Sequence, residues 1–372
     1  MKQNKFYQKI KKILSFADVK INGDRPWDIH VHNDNLYARF LAEGSLGVGE
    51  SYMDGWWDCD RLDQLFDRIF MAKLDKKIKP FSYLYDVAKA KIINMQRPSC
   101  AFKIGRHHYD MGNDLYRCML DKRMIYSCAY WKNASNLDDA QKAKVELICN
   151  KLDLKPGMRV LDIGCGWGGI ARFIARRYKV KVVGITVSKN QHKLGTRLCK
   201  GLPVDIRLQD YRSLDGVFDR IFSIGMIEHV GYKNYTEFMR VVKKLLKKDG
   251  LFLLHTIGGN SSVTNNDSWI DRYIFPNSML PSAKQLSAAF NRLFVLEDWH
   301  SFGVDYDKTL MHWFKNFHEN WESLKGNYDE RFYRMWKFYL LTCAASFRAR
   351  VNQVWQIVLS PEGVPGGYQP HR

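Results

Sequence analysis

Apolar and polar positions follow a repeating βα rhythm along most of the chain. The apolar run Met158 to Ile163 breaks into a glycine-dense turn, and a helical pattern through Ala171, Phe173, Ile174 and Ala175 follows. That order predicts a strand, a tight turn and a helix. Further strands are predicted over 180–185, 204–208, 219–224 and 251–257, with helices over 137–152, 190–200 and 235–247. A strand over 294–302, helices near 308–324 and 329–348, and a closing strand over 351–359 complete the pattern. The fold expected is α/β, a doubly wound, mostly parallel seven-stranded sheet with helices on both faces. Residues 258–283, rich in Asn and Ser and holding Pro276 and Pro281, read as an insertion over the sheet's edge.

The first part of the chain has a different texture. Phe6, Ile10, Ile13 and Leu14 recur at helical spacing within 1–20, with Lys2, Lys5, Lys9, Lys11 and Lys12 on the flank. This suits first of all an opening helix with a solvated face, and as the sharper alternative a helix lying on anionic headgroups. From 21 to 75 the text is short and turn-rich. Around Gly44, Gly47, Gly49 and Gly55 the glycines mark turns, and Tyr52, Trp56 and Trp57 form a small core. Four segments result: a mainly helical N-terminal domain (1–90), a linker (91–106), a second domain (107–360) and a flexible tail (361–372). His107 and His108 are adjacent and share no face of a helix or strand, so a solvated or hydrogen-bonded pair is expected and a metal site is not.

Charge narrows the partner. The 372-residue chain has a net charge of +19, which favours a polyanion, either nucleic acid or an anionic membrane surface. No D-P-P-Y or N-P-P-Y stretch follows the fourth strand, which argues against base methylation and a nucleic-acid partner. No apolar run reaches the roughly 20 residues of a membrane span, and no signal-peptide pattern opens the chain, so a cytoplasmic protein is expected. The eight cysteines show no C-x-x-C pair and read as reduced, mostly buried thiols, with no metal.

Ligands of open parallel sheets lie beyond the carboxyl ends of the strands. Those ends supply Asp162, Gly164, Gly166 and Gly168, then Thr186 with Gln191, then Gln209, Asp210 and Tyr211, then Glu228, then His255. The spacing G-x-G-x-G, with Asp162 two residues before it, is tighter than the dinucleotide fingerprint. It resembles motif I of the S-adenosylmethionine-dependent methyltransferases. No acidic residue ends the second strand, so Thr186 and Gln191 are expected to hold the ribose, with Asp210 and Tyr211 at the adenine. Tyr126-Ser127-Cys128-Ala129-Tyr130-Trp131 sets a cysteine among aromatics whose ring faces would attract a sulfonium, bringing Tyr126 and Ser127 into the cofactor set. Taken alone, the hexapeptide reads as core.

Together Y-S-C-A-Y-W, V-L-D-I-G-C-G-W-G-G, G-I-T-V-S-K-N-Q, G-M-I-E-H-V-G, L-L-H-T-I-G and the N-terminal G-E-S-Y-M-D-G-W-W resemble the cyclopropane-fatty-acyl-phospholipid synthases over nearly the whole chain. The resemblance implies a Rossmann-like class I methyltransferase domain, usually in a homodimer, peripheral to the inner face of the membrane. The implied reaction adds a methylene from S-adenosylmethionine across a cis double bond of a phospholipid acyl chain. It implies a bound bicarbonate on Cys128, Glu228, His255, Tyr306 and the backbone of Ile257, acting as the base. It also implies a catalytic cysteine at Cys343, although Leu340, Ala344 and Phe347 around it read as a packed helix face. Ile227, where members often carry Phe, departs from the pattern. The nearest alternative is another lipid or isoprenoid methyltransferase with the same cofactor.

Overall fold

The computed structural model describes residues 5–74 and 112–372. The expected linker at 91–106, the histidines at 107 and 108 and Lys2 lie outside the described residues. The N-terminal region is helical, as the pattern implied for its first element. α1 (Lys5–Ser15) buries Ile10 and Leu14, and α2 (Leu36–Glu43), α3 (Ser45–Met53) and α4 (Leu62–Met71) follow. The short strands β1 (His30–Val31) and β2 (Trp57–Asp58) pair antiparallel between them.

Two expectations about this region fail. Gly47 and Gly49 do not mark turns; they lie inside α3. A Cβ on Gly47 would stand 2.6 Å from the Arg39 carbonyl oxygen, and one on Gly49 would stand 2.3 Å from the Trp269 ring. Close packing, not chain reversal, is what these positions require. Nor is the aromatic core small and separate. Tyr52 and Phe66 pack on Phe338 at ring separations of 5.5 and 5.2 Å, and Trp269 joins them at 4.7 Å. One apolar cluster runs from Ile10 through Trp57 to Phe347. Arg334 spans the same junction, donating to the Tyr52 carbonyl at 2.6 Å and to Asp58 at 2.7 Å.

In the second part, α5 (Asn113–Met119) and α6 (Leu137–Lys151) precede β3 (Arg159–Ile163). Then come α7 (Gly169–Tyr178), β4 (Lys181–Thr186), α8 (Lys189–Cys199), β5 (Val204–Leu208), β6 (Phe218–Ile224), α9 (Tyr235–Leu245) and β7 (Leu246–Gly259). After these lie α10 (Ser268–Tyr273), α11 (Ala283–Phe290), β8 (Val295–Ser301), α12 (Val304–Glu319), α13 (Trp321–Leu324), α14 (Glu330–Arg348) and β9 (Asn352–Ser360). Side chains of Asn136, Ser188, Asp267, Ser282 and Asp329 cap α6, α8, α10, α11 and α14, satisfying amides at the helix starts.

The seven-stranded sheet has the order β5-β4-β3-β6-β7-β9-β8. β3 to β7 pair in parallel, whereas β9 lies antiparallel between β7 and β8. The last strand of the chain thus fills an interior position and brings α12 and α14 back over the sheet's edge. The last segment is not a loose tail. Val364 N–H donates to Glu297 at 2.9 Å, Tyr368 OH donates to the Lys151 carbonyl at 2.9 Å, and Arg372 donates to Asp298 at 2.7 Å. Val364 and Tyr368 also pack on the apolar layer beneath α6 and β3. Glycine and proline content suggested looseness, but buried Asp298, already paired with Lys151 at 3.0 Å, takes Arg372 as a second cation.

The Gly49–Trp269 contact sets two effects against each other. Alanine favours a helix by about 1 kcal/mol over glycine, while forcing atoms into a packed core costs typically 1–3 kcal/mol. Since the ring cannot yield as a flexible chain end would, Gly49→Ala is expected to lower stability by up to about 2 kcal/mol, read as a lower denaturant midpoint.

Candidate active site

The turn after β3 opens a cavity at the carboxyl edge of the sheet. Gly164 and Gly166 adopt φ values of 92° and 55°, a left-handed region that side chains disfavour, and both line the cavity. Tyr126, Ser127, Asp162, Thr186, Gln191, Gln209, Asp210 and Tyr211 line it with them. Gly168 does not. It starts α7 in the left-handed conformation, and its Cβ would meet Cys199 Sγ at 3.0 Å. The sequence reasoning missed Met226, Trp167, His229 and Arg212, which also line the space.

Each wall is held by bonds that leave particular atoms facing inward. Thr186 Oγ1 donates to Gln191 Oε1 at 2.7 Å and accepts from Ser188 N–H at 3.1 Å, so the two neutral residues act as a unit. Asp210 accepts from Arg212 N–H at 2.9 Å and from its guanidinium at 3.1 Å. That guanidinium also sits 4.7 Å over the Tyr211 ring, whose other neighbour is Phe238 at 5.2 Å. On the opposite wall, Tyr126 OH and Tyr339 OH are 2.8 Å apart, and the Tyr126 ring packs on Trp313 at 5.0 Å.

Behind Tyr126 and Ser127 stands α6. Gln141 donates to the Ser127 carbonyl at 2.8 Å, and Lys144 Nζ donates to Ser127 Oγ at 2.8 Å. Lys144 is fully buried. Burial pushes its ammonium below the ordinary range, against the pull of Asp121, Cys128 and Asp162. Burial likewise pushes the Asp162 carboxyl up, and the Lys144 charge opposes that rise. Burial wins at Asp162, whose carboxyl, pushed up to about 8, holds its proton at neutral pH, and Asp121 is the larger support of the Lys144 charge. A helix lysine ordinarily reads as solvated, so the only signal in the sequence was that Gln141 and Lys144 share a face with Ala140 and Leu147.

The second set of candidate residues lies beside this cavity, among aromatic rings. Glu228 Oε1 accepts from Ile257 N–H at 2.8 Å, while Glu228 Oε2 is buried with no hydrogen-bond partner among the described residues. Burial lifts its carboxyl to about 7, against the lowering effect of the Ile257 amide. His255 precedes Ile257 by two on β7. Burial, helped by the positive charge of Lys144, Lys151 and His300, holds its imidazole far below the usual value, so the ring is neutral.

Cys128 is wholly buried; its thiol donates to the Ala129 carbonyl at 3.1 Å, and burial keeps it protonated. The segment after it is pinned to α12: Ala129 N–H donates to Thr309 Oγ1 at 3.1 Å and Trp131 N–H to Asp305 at 2.8 Å. Tyr306 enters from the first turn of α12, its ring 4.7 Å from Phe347 and 5.8 Å from Trp313. Phe302 links the groups, lying 5.7 Å from the His255 ring and 5.4 Å from Tyr130. Cys343 is on α14, one turn beyond Tyr339, and lines no part of the cavity. Burial pushes its thiol up to about 12, which suits a packed side chain and not a nucleophile at neutral pH.

Residues 96–357 match the model of the mycolic acid cyclopropane synthetase family. The chain belongs to that family. Its members here are S-adenosylmethionine-dependent methyltransferases. The chain is 52% identical to the cyclopropane-fatty-acyl-phospholipid synthase of Escherichia coli strain K12, over 99% of this chain and 96% of the relative. Among solved structures it resembles the cyclopropane synthase MmaA2 of Mycobacterium tuberculosis, with 32% identity, a TM-score of 0.66, and coverage of 69% of this chain and 97% of that one. Mycolic acid cyclopropane synthase CmaA1, solved with SAH and CTAB, has 32% identity and a TM-score of 0.65 over 69% of this chain and 97% of that chain. The doubly wound, mostly parallel sheet expected for such enzymes is the one observed.

Glu228 offers a test with a definite sign. Its carboxyl binds a proton more tightly in the folded state, up to about 7 against 4.5 for the free side chain. Its contribution is therefore fully present below pH 4.5 and is lost as pH rises through 7. Glu228→Gln has no such loss. Relative to the parent, its stability is expected to rise by up to about 3 kcal/mol between acid and neutral pH. Denaturant unfolding of both proteins at pH 4.5 and pH 8 measures the difference.

Proposed function

We propose that the enzyme adds a methylene, taken from S-adenosylmethionine, across the cis double bond of an unsaturated phospholipid acyl chain. The observation that carries this reading is the similarity to the Escherichia coli synthase along 99% of the chain. The site's chemistry supports it. When bound, S-adenosylmethionine supplies a methyl group on a positively charged sulfur, electrophilic enough for an alkene. Asp162, the Gly164–Gly166 turn, the Thr186–Gln191 pair and the Gln209–Tyr211 segment would hold it, with Tyr126 and Ser127 facing its charged end. The turn offers open main chain, since a Cβ on Gly166 would meet nothing within 4 Å.

Methyl addition to the alkene leaves a carbocation on the acyl chain. Loss of a proton from the added methyl closes the ring. The aromatic side chains packed around Tyr130, Phe302, Tyr306 and Trp313 would keep water away and could offer ring faces to that cation. A bicarbonate held by Glu228, His255, Tyr306, Cys128 and the Ile257 backbone would supply the base. The unpartnered, buried Glu228 Oε2 fits such a ligand, because a buried carboxyl oxygen left unbonded is costly unless something else occupies its lone pairs. Glu228 would accept the ligand's hydroxyl hydrogen while His255 and Tyr306 donate to its oxygens.

The substrate lies in a membrane, and no helix of the described residues is long and apolar enough to cross one. We place the enzyme, as a homodimer, peripherally on the cytoplasmic face, drawn there by its +19 net charge. Two outcomes are expected. Purified Glu228→Gln should make cyclopropane lipids at least about a hundredfold more slowly than the parent, yet bind S-adenosylmethionine unchanged in calorimetry. Mass spectrometry of the lipids separates ring formation from methylation without closure. Vesicles rich in anionic lipid should bind the protein and release it as salt is raised; binding indifferent to salt would remove charge as the attraction.

A further inference from the structure

β9 runs between β7 and β8, and its register sets Gln356 directly opposite His255 on one side and His300 on the other. Residues opposite one another in a sheet project from the same face. A polar row, His300–Gln356–His255, therefore crosses three strands, with Lys151 and Asp298 at its His300 end. Gln356 and His255 are buried.

The side-chain nitrogen of Gln356 lies 3.3 Å from His255 Nδ1. An amide N–H can only donate, and a ring nitrogen that accepts carries no hydrogen. A neutral imidazole has one proton, so an accepting Nδ1 places that proton on Nε2. The other histidine of the row meets the same logic. Lys151 Nζ, a group that donates when charged, lies 3.2 Å from His300 Nδ1. Gln356 Oε1 has no hydrogen-bond partner among the described residues. Among the hydrogen bonds described, the contact with His255 is what orients the amide.

We propose that Gln356 is a positioning residue, whose amide donates to Nδ1 of His255 and holds the ring as its Nε2–H tautomer. In that form His255 presents a donor to a captured oxyanion. The opposite tautomer would aim a bare lone pair at a negatively charged oxygen and leave both groups unsatisfied. β9 suits the task because it is bonded on both sides, so Gln356 cannot drift relative to His255. The role rests on the reading of His255 as a donor to a bound anion; the tautomer itself does not.

Full-length protein labelled with 15N in its histidines provides the test, with His255→Gln used to assign the signal. At neutral pH, His255 Nδ1 is expected to show the shift of a bare nitrogen and Nε2 that of a protonated one. A protonated Nδ1 in the parent protein would overturn the proposal without any variant. In Gln356→Glu, measured at a pH where the buried carboxyl is ionised as read by its 13C shift, the side chain can only accept, so the tautomer should invert and cyclopropane formation should fall at least about tenfold, the scale of a lost supporting hydrogen bond. Gln356→Met, which removes the donor without adding an acceptor, should fall between the two. Should Gln356→Glu keep full activity with an inverted ring, the positioning role is wrong. If instead His255→Gln itself makes cyclopropane lipids at the parent rate, the anion-site reading fails while the tautomer result stands.

Discussion

Desolvation governs this molecule's chemistry. The groups proposed to act on the substrate or its partners lie where water is excluded, and burial is the largest cause of every protonation state described around the site. It lifts Glu228 to about 7, holds His255 neutral and keeps Cys128 a thiol. It pushes Lys144 down and Asp162 up to about 8, and the charge of neighbouring groups offsets only part of either shift. A carbocation formed in contact with water would be captured by it. The dryness that makes ionisable groups expensive to bury is the condition the proposed reaction needs.

That dryness is assembled from distant segments. The parallel strands β3 to β6 supply the cavity's edge, but the walls come from elsewhere. α6 holds the Tyr126–Ser127 wall through Gln141 and Lys144. α12 pins the following residues through Thr309 and Asp305, and α14 meets Tyr126 through Tyr339. α14 in turn is clasped by the N-terminal helices. Arg348 bridges Asp63 of α4 and Asp307 of α12 at 3.0 Å each. The N-terminal region is thus joined to the wall of the site by both packing and charge.

The family similarity and the physical picture support one another at different levels. Similarity along the whole chain indicates which reaction to expect. The arrangement of bonds supports the roles proposed for these residues: a hydrogen-bonded neutral pair at Thr186 and Gln191, a buried acid at Glu228, and an imidazole at His255 kept uncharged chiefly by burial. Cys343 illustrates the reverse case. The resemblance implied a catalytic role, whereas its thiol, pushed up to about 12 on a packed helix, has the character of core.

What the amino-acid order determined alone was local. Alternation of apolar runs with amphipathic stretches established the βα units, and the glycine turn after Ile163 marked the edge where the cavity opens. Reading off strand ends placed Asp162, Thr186, Gln191 and Gln209–Tyr211 on one rim, since the direction of a parallel strand dictates where its last residue points. What depended on neighbours distant in sequence was not legible. Gly47 and Gly49 looked like turns because their reason, the proximity of Arg39 and Trp269, is a contact and not a conformation. The last segment looked loose because its anchors, Asp298, Glu297 and Lys151, lie far back in the chain. Lys144 and Gln356 gave no sign of their importance, because a polar residue's role inside a protein depends on what surrounds it. Periodicity reports that a face is covered; only the tertiary fold decides by which partner, and with it which protons stay in place.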